Sequence, residues 1–183
     1  MTNSRPPLEL LTETAAVDKV DRISEQYAKK YEWSDREAVR LYFRLEELAS
    51  AMRAAADRVH GSILPNAKGW LVAVLRAIYL SPNKRLSHVE IGNETRVPAA
   101  NVTYQVDVLE KDGYVVRVPH PEDRRVTYVE LTTAGEELCE MLLPARVHFI
   151  NDLASILTPE ETRLMNDLAE RLQKHAEAFK TLD

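Results

Sequence analysis

The chain has 183 residues, 45% of them hydrophobic and 29% charged, enough for one core or two small coupled ones. Its net charge of −5 argues against a uniformly basic nucleic-acid binder, although overall charge does not report on a local patch. A single cysteine, Cys139, excludes an internal disulfide framework, and no apolar run approaches the roughly 18 residues of a membrane span. The first residues, Met1 to Pro7, lack the apolar core of a secretory signal, so the expected location is the cytoplasm and no membrane partner is expected.

Residues 1–33 form an N-terminal extension in which Leu8, Leu11, Val20, Ile23, Tyr27 and Tyr31 give partial helical spacing. Two readings stay open there, a docking helix or a frayed tail. Ser34-Asp-Arg-Glu37 reads as a capping box opening a long helix to His60. Its apolar seam, Leu41, Leu45, Leu48, Met52, Ala55 and Val59, is long enough to suit a partner helix from another subunit. Trp70 to Tyr79 is a mostly buried helix, and Ser81 to Arg85 is a turn. Ser87-His-Val-Glu90 caps a short helix ending near Thr95. Pro98 suits the first position of the next helix, which runs to Asp112 and is stopped by Gly113.

Tyr114–Val118 and Val126–Leu131, rich in β-branched and aromatic residues, predict a hairpin with Asp123, Arg124 and Arg125 near its tip. Thr133-Ala-Gly-Glu136 caps a helix whose apolar face is Leu138, Leu142, Ala145, Phe149 and Leu153, with a kink at Pro144. Thr158-Pro-Glu-Glu161 caps the last helix, with Leu164, Leu168, Leu172 and Phe179 on its face. The predicted fold is mainly α with a small two-stranded β wing: a winged helix-turn-helix between long N- and C-terminal helices that one small domain cannot fully use. The predicted divisions are 1–33 (helical extension), 34–60 (dimerisation helix), 61–132 (DNA-binding lobe) and 133–183 (C-terminal dimerisation helices).

Between Lys84 and Tyr128, seven basic residues (84, 85, 96, 111, 117, 124, 125) balance seven acids (90, 94, 107, 110, 112, 122, 123). The remainder therefore carries the whole excess of negative charge, and DNA binding requires cations and anions sorted to opposite faces. Such binding should be modest and steeply salt-dependent.

Four stretches, Val108–Arg117, Pro121–Thr132, Ala73–Ile78 and Arg85–Gly92, together make the chain similar to the multiple antibiotic resistance regulator (MarR) family of winged-helix transcription factors. Val108-Leu-Glu-Lys-Asp-Gly-Tyr-Val-Val-Arg117 resembles the end of that family's recognition helix and its first wing strand. Pro121-Glu-Asp-Arg-Arg-Val-Thr-Tyr-Val-Glu-Leu-Thr132 resembles its wing signature, Asp-x-Arg-x5-Leu-Thr, on Asp123, Arg125, Leu131 and Thr132. Ala73–Ile78 and Arg85–Gly92 fit the two preceding helices, while the first 33 residues lie outside the resemblance. The resemblance implies a homodimer with intertwined terminal helices, and recognition helices in successive major grooves of a pseudo-palindromic site in double-stranded DNA. It also implies repression of nearby genes, relieved when a small, often aromatic or anionic ligand binds between the dimer and DNA-binding lobes.

On the recognition helix, Val102, Val106 and Leu109 should pack inward. Pro98, Ala99 and Ala100 lie at its N-terminal turn, and Asn101, Thr103, Tyr104 and Gln105 flank the packed face as candidate DNA contacts. Asn and Gln can pair with adenine, and Ala or Thr methyls can touch the thymine methyl. No Lys or Arg precedes Lys111 on this helix, a departure from the family, so the expected operator is A/T-biased or read by shape. Arg125 can enter the narrow minor groove of an A/T-rich step, with Asp123 directing its guanidinium and Arg124 meeting phosphate. Arg117 either touches phosphate or braces the wing, and Gly92 lets the short helix approach the recognition helix.

Tyr42, His60, Trp70, Arg76 and Tyr79 lie on helices bordering the family's pocket and are the effector candidates, His60 and Arg76 being the anion partners. Two further readings stand beside this one: a winged helix used for protein contact, and a thiol switch through Cys139 at a helix start. No catalytic residues, metal-ligand spacing or cofactor motif is found, so no enzyme is expected.

Overall fold

A computed structural model describes residues 18–65, 68–121 and 126–179. The wing-tip residues Asp123, Arg124 and Arg125 and the first 17 residues of the extension lie outside the described residues. The described elements are α1 (Lys19–Lys30), α2 (Arg36–Ile63), α3 (Gly69–Leu80), β1 (Arg85–Ser87), α4 (His88–Thr95), α5 (Ala99–Lys111), β2 (Val115–Pro119), β3 (Thr127–Leu131), α6 (Thr133–Ala154) and α7 (Pro159–Ala178). The chain divides into two compact units, Met1–Ala54 and Ala55–Asp183.

In the first unit, the described part of the extension is a docked helix, the first of the two readings left open above. Asp18 caps α1 by accepting from the Val20 amide at 3.0 Å, and Val20 and Ser24 are fully buried. Arg36, Arg40 and Arg44, one turn apart on α2, meet Glu25 (3.3 Å), Asp21 (2.7 Å) and Asp18 in reverse order. The two helices are therefore antiparallel along a charged stripe. The hydrogen bond from Arg44 holds the Asp18 carboxyl below its usual range. The expected cap of α2 is one residue off. Asp35, not Ser34, accepts from the Glu37 and Ala38 amides at 2.8 and 3.2 Å, because a carboxylate is the stronger acceptor for a helix N-terminus. The helix also continues past His60 to Ile63.

The second unit is built around Leu71, Val74, Leu75 and Ile78 of α3, Ile91 of α4, Val102, Val106 and Leu109 of α5, Val115 and Val129 of the strands, and Leu138 and Leu142 of α6. Ser87 and Glu90 form the expected capping box of α4, and Thr158 and Glu161 that of α7. Gly113, at φ 81°, ends α5. Its amide bonds to Glu110 at 3.0 Å and the Tyr114 amide to Leu109 at 2.9 Å, the paired bonds of a Schellman stop. Thr132, not Thr133, caps α6. Its hydroxyl accepts from Gly135 at 3.1 Å and donates to the Gly113 carbonyl at 2.6 Å, so one side chain ties the helix start to the end of α5.

The sheet has three antiparallel strands in the order β1-β3-β2, one more than the expected hairpin. β1 pairs Arg85 with Glu130 and Ser87 with Tyr128, and the Arg85 guanidinium lies 4.7 Å from the centre of the Tyr128 ring.

Candidate nucleic-acid interface

α4, the turn at Arg96–Pro98 and α5 form the helix-turn-helix. Arg96 closes α4 in the left-handed region at φ 56°, and the Val97 amide bonds to the Gly92 carbonyl at 3.1 Å. A Cβ on Gly92 would lie 3.1 Å from the Val97 carbonyl oxygen and 3.7 Å from Val102, so glycine permits this close approach. Val102, Val106 and Leu109 are completely buried, as their spacing requires, and fix the rotation of α5 about its axis.

With that rotation, Pro98, Ala100, Asn101, Thr103 and Tyr104 are exposed, and Ala99 is the first residue of the helix. Gln105 corrects the sequence reading. It is only 8% exposed, and its Oε1 has no partner among the described residues. At 100° per residue it lies about 40° from Leu109, on the margin of the packed face rather than on the outer one. The same count places Asp107 about 20° from Ala100 and about 60° from Tyr104, on the flank of the outer face about 100° from Val106 and about 140° from Val102. Asp107 is exposed, and a sequence reading that favours neutral base-reading side chains passes over it. Counting helical angles from the three core positions finds it.

Tyr104 leans on Trp70 of α3, ring centres 6.4 Å apart at 52°. Arg117 on β2 donates to Asp107 at 2.6 Å and to Glu110, and its backbone amide donates to Glu110 at 3.2 Å. Of the two roles open to it, the bracing one is occupied. Burial acts to lower the Arg117 pKa, but the bonds from Asp107 and Glu110 outweigh it and the net shift is upward. Beside this brace a cleft of about 400 Å³ is lined by Ser87, His88, Val89, Thr103, Arg117, Val126 and Thr127. Burial and then the charge of Arg117 lower the His88 pKa there.

The effector candidates are dispersed. Tyr42 belongs to the first unit, where its hydroxyl donates to Glu46 at 2.8 Å and its phenol pKa is raised by that bond. Tyr79 carries the Lys84 ammonium 5.4 Å from its ring centre. Arg76 lines a cleft of about 200 Å³ with Ala77, Leu80, Ser81, Pro82, Leu86 and Glu94. His60, 1% exposed, has Nε2 3.5 Å from Arg146 on α6, and its Nδ1 has no partner among the described residues. Burial lowers its pKa first, and the Arg146 charge lowers it further. Arg146 is itself lowered by burial and by the charge of Arg76, while at His60 the charge of Asp57 partly opposes that of Arg146. Sequence reasoning missed Arg146, which sits on a helix read only for its apolar face.

Cys139 is buried, and burial with Glu136 and Glu140 pushes its thiol up to about 11. Almost none is thiolate at neutral pH, which weighs against a thiol switch. Among the described residues there is no cluster of His, Cys, Asp and Glu that could hold a metal, and no helix long and apolar enough to cross a membrane.

The MarR family model matches residues 72–126, the segment from α3 to the wing. The HTH-type transcriptional repressor YetL of Bacillus subtilis is 30% identical over 125 residues, 68% of this chain and 72% of that protein. The Bacillus subtilis HTH-type transcriptional regulator YkoM is 36% identical over 72 residues, covering 39% of this chain but only 46% of that protein. Among solved structures, a MarR family transcriptional regulator from Streptomyces coelicolor in complex with DNA superposes with a TM-score of 0.72. At 22% identity it covers 78% of this chain and 89% of that one, which is agreement of fold. A recognition helix seated by Val102, Val106 and Leu109, a wing behind it and a relative matched over most of its length lead to one conclusion: the chain belongs to the MarR family of transcriptional regulators.

Proposed function

We propose that the protein is a repressor that binds a pseudo-palindromic site in double-stranded DNA as a homodimer and leaves it when a small aromatic or anionic effector binds. The observation that carries the DNA reading is the outer stripe of α5, where Ala100, Asn101, Thr103 and Tyr104 stand exposed on a helix locked by its buried face. Homodimerisation is supported by large apolar side chains left exposed on the long helices: Leu41, Leu45, Leu48 and Met52 on α2, and Leu164, Leu168 and Leu172 on α7. None of the described residues of α7 is buried, an arrangement that costs least when a second copy covers them.

The test is a gel shift on the DNA upstream of the gene, at several salt concentrations, with the mass in solution measured alongside. A dimer and a salt-sensitive shift are expected; a monomer, or no preference for any duplex at low ionic strength, overturns the reading. The wing is tested separately. Arg125→Ala should cost on the order of 1–3 kcal/mol of operator binding, and undiminished affinity would remove the wing from the interface.

An anionic effector is supported by Arg146, which lies 3.5 Å from His60 and feels the charge of Arg76, although Asp57 acts on His60 and Glu94 lines the cleft beside Arg76. Such a cluster favours an anion that relieves the mutual repulsion. Its resting state has a pH signature. The folded His60 pKa lies below the unfolded value of about 6.5, so below that pH the unfolded chain binds a proton that the folded chain does not. Stability should therefore fall as pH drops from about 6.5 towards the folded pKa, and His60→Gln should flatten the fall in thermal melts between pH 7.5 and 5.5. An aromatic carboxylate such as 4-hydroxyphenylacetate should restore part of the lost stability in the unmodified protein.

A second reading, a winged helix that contacts protein, is favoured by the neutralisation of Arg117 and by the absence of any Lys or Arg on α5 before Lys111. The same gel shift separates the two.

A further inference from the structure

Two exposed residues of α5, one near the centre of its outer face and one on that face's flank, are held from outside the helix: Tyr104 by the Trp70 ring and Asp107 by Arg117. The hold on Asp107 is the more unusual, because a carboxylate facing DNA is ordinarily repelled by phosphates. Arg117 offsets that charge and fixes the side chain through a 2.6 Å bond to Oδ1, yet the Asp107 side chain remains 58% exposed. An ionised carboxylate accepts at both oxygens, so the bond to Arg117 leaves capacity for another donor. Arg117 is anchored by Glu110 through both its guanidinium and its backbone amide, so it presents Asp107 from a rigid mount.

We propose that Asp107 is a base-reading residue that accepts a hydrogen bond from the exocyclic amine of one cytosine in each half-site, with Arg117 as its positioning residue. The choice of base follows from the chemistry. An acceptor-only group needs a donor, and the major groove offers only the N4 amine of cytosine and the N6 amine of adenine. Adenine sets its N7 acceptor beside the amine and repels the second carboxylate oxygen. Guanine offers N7 and O6 and thymine O4, acceptors without a donor. The inference rests on α5 being the DNA-reading helix, and it adds one C·G pair to an otherwise A/T-biased half-site.

The test is selection of operators from random duplexes by the wild-type protein and by Asp107→Asn, followed by affinity measurements on the selected sites. Wild type should enrich cytosine at one symmetric position, with about tenfold or greater discrimination against the other bases. The isosteric Asn pairs with adenine, so Asp107→Asn should move that one position to A·T and leave the rest of the motif unchanged. Arg117→Gln should weaken the cytosine preference more than it weakens binding to sites mutated at that position, which a purely structural brace would not do. A wild-type motif with no cytosine position, or the same base selected by both proteins, overturns the inference while the DNA-binding function stands. If wild type selects no motif at all, both fall.

Discussion

Gly135→Ala should destabilise the second unit by more than about 4 kcal/mol or prevent its folding, since of the five glycines it is the one where an added methyl meets backbone most closely. A Cβ at this position would lie 2.0 Å from the Tyr114 carbonyl oxygen, 3.0 Å from its carbonyl carbon and 3.2 Å from Leu131 Cδ2. The obstruction is backbone, and it is held on three sides. The Tyr114 carbonyl accepts from the Thr132 amide at 3.1 Å, Thr132 Oγ1 donates to the Gly113 carbonyl, and the same oxygen receives the Gly135 amide. Relief requires the first turn of α6 to leave the end of α5, which breaks the cap and the start of the wing together. Gly61→Ala is the control. That glycine lies inside α2 with nothing within 4 Å of the place a Cβ would occupy, so alanine should be neutral or raise stability by up to about 1 kcal/mol through helix propensity. Equilibrium denaturation of the two variants checks both; equal, small effects would mean that the α5–α6 junction is looser than described.

Leu109→Ala should cost about 2–5 kcal/mol, the range for deleting a fully buried leucine side chain. The spread reflects how far a site can collapse, and here collapse is resisted. Leu109 supplies the carbonyl that receives the Tyr114 amide in the helix stop, so its backbone cannot follow the shortened side chain inward. The functional consequence should exceed the loss of stability. Val102, Val106 and Leu109 set the angle at which Tyr104 and Asp107 face outward, so the variant should lose discrimination between operators even where it remains folded. Denaturation midpoints together with binding to a specific and a scrambled duplex would measure both. Unchanged discrimination in a folded variant would show that α5 is oriented by something other than its packed face.

The helix-turn-helix was legible because its signals are local. Ser87 with Glu90 and Gly113 specify its start and stop through bonds made within about one turn of chain, as Thr158 with Glu161 does for α7. The buried stripe of α5 was legible for the same reason, since 3.6-residue periodicity needs no partner to be seen. Errors arose where two adjacent residues compete for one role. Ser34 against Asp35 was decided by the stronger acceptor, and Thr133 against Thr132 by a carbonyl 19 residues away, that of Gly113.

The sequence by itself determined the element order, the inward face of the recognition helix and the resemblance that led to the family, because periodicity, capping and turn chemistry act over a few residues. Tertiary structure alone decided the rest. β1 is three residues long, too short to carry a pattern, and exists through its pairing with β3. Arg117, equally suited by sequence to phosphate or to bracing, has the carboxylates of Asp107 and Glu110 beside it. Gln105 turned from reader to buried residue, and Arg146 joined His60 across 86 positions of chain. For β1 and His60 the deciding partner is distant along the chain, and for Arg117 it lies on another element; either separation hides the electrostatic and packing neighbours that set what a polar side chain can do.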